Sequence, residues 1–212
     1  MRKQVIISIG REYGSGGHHI AEILAKHFGI AFYDRSLLEK VAVENKLNKK
    51  LLETYDEKPV NKFLSRTVNG YSNSLQEHIA HMEFEYIKKL AKSGESFVVV
   101  GRCSEEILND NPNLFSFFVT GDEETKQKRI ETIYKVSPEE AKAMMKRKDF
   151  KRKYYHNYYC HGKWGDPKCY DLIINSSRTG IENAVRLLIA YIECRMQEDG
   201  ESAENDVVND IT

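Results

Sequence analysis

The chain has 212 residues, and its 32 basic and 32 acidic side chains give a formal net charge of zero. A balanced charge argues against a protein that coats nucleic acid, because such proteins carry a strong positive excess. No apolar run reaches the roughly 20 residues that span a bilayer, and the N-terminal apolar run is too short for a signal peptide. The four cysteines form no C-x-x-C pair, which is typical of reduced thiols. We therefore expect a cytoplasmic protein that neither enters a membrane nor depends on nucleic acid.

The first part of the chain combines a short apolar run, a glycine-rich loop and a helical pattern. Val5 to Ile9 is predicted as a strand buried on both faces, and Ile20 to Phe28 has helical spacing that ends at Gly29. Between them lies GREYGSGG, from Gly10 to Gly17. Glycine allows positive φ angles and a close backbone approach, so that successive N–H groups converge on an anion. This stretch predicts a phosphate-binding loop, and the alternative is a tight turn without a ligand.

The loop departs from the usual phosphate-loop pattern, which is G-x-x-x-x-G-K-[ST]. Gly16 takes the place of the glycine before the lysine, Gly17 stands where the lysine is expected, and His18 stands where the hydroxyl residue is expected. No strict match to the pattern exists elsewhere in the chain. If the loop binds a triphosphate, another side chain has to supply the positive charge.

Four further apolar runs and five helical patterns follow this first unit. We expect strands at 30–33, 97–100, 114–119 and 170–174, and helices at 37–42, 75–90, 123–135, 138–153 and 181–192. A capping box at Ser137 opens the fourth of these helices. Strands that alternate with helices predict an α/β fold with a parallel sheet and right-handed crossovers.

Charged residues stand at the carboxyl ends of two predicted strands. Asp34 and Arg35 end the second strand, and Arg102 follows the third. Open α/β sheets bind their ligands in the crevice at this edge, and guanidinium groups suit bidentate recognition of a phosphate or a carboxylate. The alternative for Arg102 is an ion pair on the rim of the sheet.

The segment from Lys135 to Lys168 is basic, with ten lysines or arginines against four acidic residues. Aromatic residues interleave with this charge: Tyr154, Tyr155, Tyr158, Tyr159 and Trp164. A lid that closes over nucleotide phosphates explains this composition. We prefer the lid to two alternatives, a solvated helix face and a single-stranded nucleic-acid site between Lys146 and Trp164.

Four residues near the end of this basic segment are of types that bind zinc: His156, Cys160, His161 and Cys169. Imidazole and thiolate are common zinc ligands. The spacing H-x-x-x-C-H followed by a distant cysteine matches no strong metal signature. The sequence therefore predicts no metal site.

The remaining segments set the expected domain boundaries. Asn45 to Ser74 is polar and weakly patterned, as expected of a mobile insert or short helices rather than a second domain. From Gln197 onward the chain has six acidic residues and no basic one, which predicts a disordered acidic tail at 197–212. We expect a single domain over residues 1–196.

Four stretches together resemble the cytidylate kinase-like family, relatives of bacterial cytidylate kinase among the nucleoside monophosphate kinases. They are GREYGSGG after the first strand, FYDRSLL after the second, VVVGR at the third and YDLIINSSRTGIENAV at the end. The resemblance covers the chain to about Met196. It implies a P-loop kinase fold, a three-layer α/β/α arrangement whose five-stranded parallel sheet has the order 2-3-1-4-5. It also implies a helical insert at about 36–95, a lid at about 137–168, and ATP and Mg²⁺ as cofactors.

The resemblance assigns residues to an ATP site. The residues that would wrap the β- and γ-phosphates are Gly14, Ser15, Gly16 and Gly17. The histidines His18 and His19 would lie beside these phosphates at the start of the helix. Arg178 would lie where such kinases approach the adenine.

The resemblance also assigns an acceptor site and a lid. Asp34, Arg35 and Arg102 would face the acceptor nucleotide. Val100 and Cys103 replace the two aspartates that flank this last arginine in cytidylate kinases, so the recognition of cytosine and ribose differs from the family pattern. The arginine-rich lid helix would contribute Arg147 and Arg152.

Because the lysine of the phosphate loop is missing, another side chain has to supply its positive charge if the protein transfers phosphate. Phosphoryl transfer needs positive charge on the oxygens where charge accumulates. The candidate replacements are Arg11, Arg147 and Arg152, which together with Arg102 form the expected catalytic set. Mg²⁺ would rely on Ser15, water and a carboxylate such as Asp34 or Asp122.

The resemblance supports two functions. The leading hypothesis is an ATP-dependent phosphotransferase that acts on a nucleoside monophosphate such as CMP or dCMP. The alternative is a nucleotide-binding protein with little or no kinase activity, because Gly17 replaces the lysine. In both cases the partners are small-molecule nucleotides.

Overall fold

The computed structural model describes residues 4–46, 67–68, 71–72 and 74–209, and its centre is a sheet of five parallel strands. These strands are β1 (Ile6–Arg11), β2 (Ala31–Tyr33), β5 (Phe97–Val100), β6 (Leu114–Thr120) and β7 (Leu172–Asn175). They lie in the order β2-β5-β1-β6-β7, which confirms the expected order 2-3-1-4-5 when the five are counted along the chain. A separate antiparallel pair consists of β3 (Thr67–Val68) and β4 (Tyr71–Ser72).

The helices alternate with these strands as the sequence predicts. They are α1 (Gly17–Phe28), α2 (Leu37–Glu44), α3 (Leu75–Lys92), α4 (Ser104–Ile107), α5 (Glu123–Tyr134), α6 (Pro138–Tyr159), α7 (Ser176–Thr179) and α8 (Ile181–Asn209), with a 3₁₀ turn at Pro167–Cys169. The short helix α4 was not expected, because four residues are too few to show a helical period.

The central strand β1 is buried on both of its sides. Ile7 and Ile9 belong to a hydrophobic cluster with residues of α1 and α8, whereas Ile6 belongs to a second cluster with residues of α2 and α3. All three isoleucines are fully buried. The sheet is therefore covered by helices on both faces, which confirms the three-layer α/β/α arrangement.

The carboxyl ends of the strands meet at one edge of the sheet. Ile9 of β1 lies opposite Val100 of β5, and Arg11 lies opposite Val119 of β6. The glycine-rich loop that follows β1 is therefore adjacent to the residues that follow β5 and β6. This edge is where open parallel sheets bind their ligands.

Two helix ends follow the local signals in the sequence. Gly29 has a φ of +63° and its N–H donates to the Lys26 carbonyl, so it ends α1 in the left-handed conformation that favours glycine. The Ser137 hydroxyl accepts a hydrogen bond of 3.2 Å from the Glu140 N–H, and Pro138 is the first residue of α6. The capping box at the start of the basic segment is thus confirmed.

The structure describes the end of the chain up to residue 209 but describes few residues of the predicted insert. Helix α8 continues through residues 197–209, whereas the acidic composition of this segment predicts disorder. Extending an existing helix adds backbone hydrogen bonds without a new nucleus, so α8 can continue into residues whose own helix propensity is weak. Most of the polar segment from Asn45 to Ser74, which was predicted as a mobile insert or short helices, lies outside the described residues: these are residues 47–66, 69–70 and 73. None of the described helices combines the length and apolar character that crossing a bilayer requires.

Candidate phosphate-binding site

The loop between β1 and α1 passes twice through left-handed backbone conformations. Gly14 has a φ of +83° and Gly16 a φ of +80°, a region in which residues with a β-carbon are strained. A β-carbon at Gly14 would lie 2.9 Å from the Lys126 carbonyl oxygen, and one at Gly16 would lie 2.5 Å from the Ile181 side chain. Backbone conformation and space therefore both require glycine at these positions. The loop is curled, as a nest of backbone N–H groups requires.

Side chains from other elements hold the carbonyl oxygens of this loop. Arg129 Nη1 donates to the Gly14 carbonyl at 2.5 Å, and the Ser176 hydroxyl donates to the Ser15 carbonyl. The Ser15 hydroxyl donates to the Glu12 carbonyl at 2.8 Å, and Ser15 is fully buried. Because the carbonyls are engaged, the N–H groups of the first turn of α1 are the backbone groups that can meet an anion. Ser15 was expected to join a Mg²⁺ site, but it is fully buried and is not among the residues that line the cavity over the loop.

Glu12 anchors the base of the loop. Its Oε2 accepts hydrogen bonds from Lys126 Nζ at 2.6 Å, from the Thr120 hydroxyl at 2.7 Å and from the Gly121 N–H at 3.3 Å. The Lys126 side chain is 10% exposed, so its ammonium is committed to this carboxylate. Lys126 is therefore not the cation that replaces the missing phosphate-loop lysine.

Gly17, which stands where the lysine is expected, packs against Arg11. A β-carbon at Gly17 would lie 2.6 Å from the Arg11 β-carbon and 3.2 Å from the Val119 β-carbon. The Arg11 guanidinium extends to Gly101 at the end of β5. The stem of Arg11 thus occupies the space in which a lysine side chain at residue 17 would begin.

A cavity of about 660 Å³ opens over this loop. Its lining includes most of the residues that the sequence assigned to the site: Arg11, Gly14, Gly16, Gly17, His18, His19, Asp34, Arg35, Arg102 and Arg152. The cavity thus brings together the phosphate loop, the ends of β2 and β5, and the lid helix.

Three predicted site residues do not line this cavity, and one of them is the buried Ser15. Arg147 is exposed on α6, and the Arg178 side chain is 77% exposed with its Nε 3.6 Å from Asp122 Oδ1. Asp122 also accepts a hydrogen bond from Asn175 at 2.8 Å. This pairing places Asp122 away from the cavity, so of the two carboxylates considered for Mg²⁺ only Asp34 lines it.

Three cationic side chains line the cavity although the sequence did not assign them to the site: Arg129, Lys148 and Lys151. Lys148, Lys151 and Arg152 are spaced by three and four residues on α6, which places them on one face of the helix. This spacing was a readable signal within the basic segment. Arg129 gave no such signal, because its position beside Gly14 depends on how α5 packs.

The lid helix α6 contacts the phosphate loop directly. The Tyr13 N–H donates to Asp149 Oδ1 at 2.7 Å, and Arg152 Nη1 donates to the Arg11 carbonyl at 3.3 Å. Arg152 also lies over the Tyr13 ring, 5.5 Å from its centroid. Burial raises the pKa of Asp149 to about 6, although the Tyr13 N–H and Arg152 act in the opposite direction. Arg152 Nε is buried and has no hydrogen-bond partner among the described residues.

On the acceptor side of the cavity, Asp34 pairs with His18. Asp34 Oδ2 and His18 Nε2 are 2.9 Å apart, and Asp34 Oδ1 accepts a hydrogen bond from the Ser36 N–H at 2.9 Å. Burial raises the pKa of Asp34, but the hydrogen bonds from His18 and Ser36 outweigh burial and hold this pKa below its usual value. Asp34 therefore presents an ionised carboxylate at the end of β2.

Arg102 forms the ion pair that the sequence left open as an alternative. Its Nη1 is 3.1 Å from Glu83 Oε1, and both side chains are only 2% exposed. The φ of Arg102 is +63°, a left-handed conformation that is rare for a residue with a β-carbon. Arg102 lines the cavity from a buried ion pair, so its guanidinium is not presented in full to an acceptor. Sequence reasoning missed Glu83 because nothing in the pattern of α3 indicates which residue faces the end of β5.

Comparisons with known proteins show the family and the fold of this chain. The profile of the cytidylate kinase-like family matches residues 6–178. A crystal structure of an uncharacterized protein from Eubacterium ventriosum is 40% identical, with a TM-score of 0.72, and the match covers 90% of this chain and 99% of that one. No curated protein matches the chain in sequence.

Two solved kinases share the fold at low sequence identity. A gluconokinase from Sinorhizobium meliloti is 14% identical, with a TM-score of 0.56 over 96% of this chain and 99% of that one. A shikimate kinase from Bacteroides thetaiotaomicron is also 14% identical, with a TM-score of 0.53 over 89% of this chain and 98% of that one. These likenesses establish a P-loop kinase fold.

Proposed function

Because this chain belongs to the cytidylate kinase-like family and has a P-loop kinase fold, we propose that it is an ATP-dependent phosphotransferase acting on a nucleoside monophosphate. The acceptor is a CMP-like or dCMP-like nucleotide. This choice rests on family membership alone, because Val100 and Cys103, which stand on either side of Gly101 and Arg102, depart from the family pattern and do not support it.

One observation supports the proposal: Arg11, a cationic residue that lines the cavity, packs directly against the position from which the lysine is missing. In the pattern G-x-x-x-x-G-K, the first glycine falls on Arg11 and the lysine falls on Gly17. The β-carbons of these two positions would be 2.6 Å apart, so one of the two positions must be glycine. Here the long cationic side chain is on the first position, and the glycine is on the last. We infer that Arg11 supplies the charge that the lysine supplies in other phosphate loops.

The cavity provides further positive charge for a triphosphate. Arg129 holds the phosphate loop, and Lys148, Lys151 and Arg152 face the cavity from the lid helix. Cations fixed at the place where charge develops stabilise phosphoryl transfer more than cations that must reorganise. The direct contact of α6 with the phosphate loop also excludes water, which limits hydrolysis of ATP.

The proposed reaction uses these residues as follows. The N–H groups at the start of α1 bind the β- and γ-phosphates, with Arg11 beside them, and Arg35 binds the phosphate of the acceptor. An oxygen of the acceptor phosphate attacks the γ-phosphorus and forms a new P–O bond, while the bond from the γ-phosphorus to the β–γ bridging oxygen breaks and ADP leaves. Asp34 would hold Mg²⁺, which neutralises phosphate charge when it is bound.

The alternative is a nucleotide-binding protein with little or no transfer activity. Two observations favour it: the loop has no ammonium at residue 17, and the Ser15 hydroxyl is engaged with Glu12. In this case nucleotide binding would act through the contact between α6 and the phosphate loop.

A coupled assay of ADP formation with CMP, dCMP, UMP and AMP as acceptors tests the proposal. We expect turnover with at least one pyrimidine monophosphate and little ADP formation when the acceptor is omitted. Calorimetry with ATP and Mg²⁺ separates the two functions, because binding of ATP without turnover of any acceptor would favour the nucleotide-binding protein. A failure to bind ATP would contradict both functions.

A further inference from the structure

A second cluster of ligand-type side chains lies outside the phosphate site, where the end of α6 meets α4. Glu105, His156 and Cys160 place a carboxylate oxygen, an imidazole nitrogen and a sulfur within 4.8 Å of one another. The sequence grouped His156 and Cys160 with two other residues, and the structure replaces both by Glu105. His161, one of the two, has a fully exposed side chain paired with Glu106.

The cluster is largely buried. Glu105 is 6% exposed and His156 is 5% exposed, and Cys160 is half-buried beside them. Cys103, which is 3% exposed, packs in the same hydrophobic cluster as Cys160. A carboxylate, an imidazole and two thiols thus meet in one interior site. Burying such groups is costly unless they are paired or bound to a metal.

We propose that Glu105, His156 and Cys160 form a structural site for Zn²⁺ or a similar thiophilic divalent cation. Carboxylate, imidazole and thiolate are the ligand types of zinc, and tetrahedral coordination separates neighbouring donor atoms by about 3.3–3.8 Å. The donors lie within reach of this geometry after the 2.6 Å contact between Glu105 Oε1 and His156 Nε2 opens by roughly 1 Å. The buried thiol of Cys103, which packs in the same cluster as Cys160, is a candidate for the fourth position.

The charges of this donor set suit a divalent ion. A carboxylate and a thiolate together balance the two positive charges of Zn²⁺, and the imidazole binds in its neutral form. On binding, the Cys160 thiol releases its proton to solvent, and His156 releases the Nε2 proton that it shares with Glu105 in the metal-free site. The complex with these three ligands is neutral, so it can be buried without a further counter-charge.

Outer contacts already orient two of the proposed ligands. The Nδ1 of His156 lies 3.4 Å from Asn157 Oδ1, which can accept its N–H once Nε2 binds the metal. The hydroxyls of Tyr170 and Ser8 each lie 3.4 Å from an oxygen of Glu105. Metal-binding histidines and carboxylates usually have such outer partners, which fix their orientation.

The site would tie the lid helix to the acceptor edge of the sheet. His156 is one helical turn beyond Arg152 on α6, and Glu105 is three residues beyond Arg102. A metal here would hold the end of α6 against α4 without contacting the phosphates. The proposal is therefore independent of the nucleotide chemistry and can be tested without any substrate.

Metal content and Co²⁺ spectroscopy on the full, untagged chain with reduced thiols test this site. We expect about one zinc per chain after purification. Co²⁺ added to the zinc-free protein should give a sulfur-to-cobalt charge-transfer band. The variants Cys160→Ser and His156→Ala should bind Co²⁺ at least about tenfold more weakly, since even the loss of an outer partner costs that much.

Matched variants distinguish this site from other thiols and from loss of the fold. Cys194→Ser, at an exposed cysteine of α8, and His161→Ala should leave the spectrum and the affinity unchanged. Glu105→Gln keeps the size and the hydrogen-bonding capacity of the side chain and should bind Co²⁺ more weakly while its circular dichroism stays native. Folded wild-type protein without zinc and without the charge-transfer band would overturn the proposal. A folded Glu105→Gln variant with wild-type Co²⁺ affinity would also overturn it.

Discussion

At the scale of single residues, the phosphate loop shows how one steric constraint redistributes charge. Arg11 and Gly17 compete for the same space, because their β-carbons would be 2.6 Å apart. A loop of this shape can therefore have its long cation at either position, but not at both. The absence of a lysine at residue 17 and the presence of an arginine at residue 11 therefore follow from the same steric constraint.

This exchange predicts the behaviour of a lysine at residue 17. Gly17→Lys alone should lower the free energy of unfolding by about 1–3 kcal/mol, because it overpacks the site against Arg11. The double variant Arg11→Gly with Gly17→Lys should recover most of that loss, because the first position is glycine again. Urea unfolding of wild type, both single variants and the double variant measures the effect. Equal stability of the single and double lysine variants would contradict the steric reasoning.

Asp149 is a second residue whose environment has a measurable consequence. Burial raises its pKa to about 6 from the usual 3.8, so the native state binds this proton more tightly than the unfolded state does. The contribution of Asp149 to stability is therefore greatest near pH 4 and is lost as the pH rises through about 6. A shift of this size corresponds to about 2–3 kcal/mol.

Asp149→Asn should therefore stabilise the protein at neutral pH. The amide oxygen can still accept the Tyr13 N–H, but no charge has to be buried. We expect the variant to exceed wild type by up to about 2–3 kcal/mol near pH 7.5 and to approach it near pH 4. Urea unfolding of both proteins over this range measures the difference. A difference that does not change with pH would contradict the raised pKa.

Sequence patterns identified residues whose conformation depends only on their neighbours in the chain. Gly14 and Gly16 were assigned to the loop because closely spaced glycines indicate left-handed turns, and both have positive φ angles. The partners of these local features could not be inferred. Glu83 pairs with Arg102 and Lys126 pairs with Glu12, and these contacts depend on how α3 and α5 pack against the sheet. A sequence pattern indicates which face of a helix is buried, but it does not indicate which residue of another element each side chain contacts.

At the scale of elements, the lid helix α6 connects three parts of the molecule. Its first turn is capped by Ser137, its middle contacts the phosphate loop through Asp149 and Arg152, and its end joins α4 through His156. The basic composition of this segment predicted a lid, but the spacing of Lys148 and Lys151 was not used to assign them to the site. Its contact with α4 was not predicted, because Glu105 lies on a helix of four residues that is too short to be recognised from the sequence.

The cap of α6 allows a quantitative prediction. Ser137→Ala removes the oxygen that accepts the Glu140 N–H and should lower the free energy of unfolding by about 1 kcal/mol. Ser137→Asp retains an acceptor at the cap and should stay close to wild type. Thermal or urea unfolding of the three proteins provides the comparison. An equal loss in both variants would show that the hydroxyl contributes through something other than the cap.

At the scale of the whole molecule, the fold followed from patterns that each strand carries on its own. Apolar runs identified all five strands of the sheet, and the parallel arrangement followed from their alternation with helices. The order of the strands came from resemblance to a family and not from the runs themselves, because an apolar run does not specify its neighbour. The extension of α8 through residue 209 was missed for a similar reason, since composition alone does not distinguish an exposed acidic helix from a disordered tail.

The most direct test of the account is the turnover number for transfer from ATP to CMP in three proteins. These are wild type, Arg11→Ala and Arg186→Ala, the last at an exposed arginine of α8 that does not line the cavity. We expect kcat to fall about 100- to 1,000-fold in Arg11→Ala, as for the loss of one group that stabilises transition-state charge, and to stay within about twofold in Arg186→Ala. Wild-type turnover that Arg11→Ala leaves unchanged would contradict the central claim that Arg11 replaces the phosphate-loop lysine.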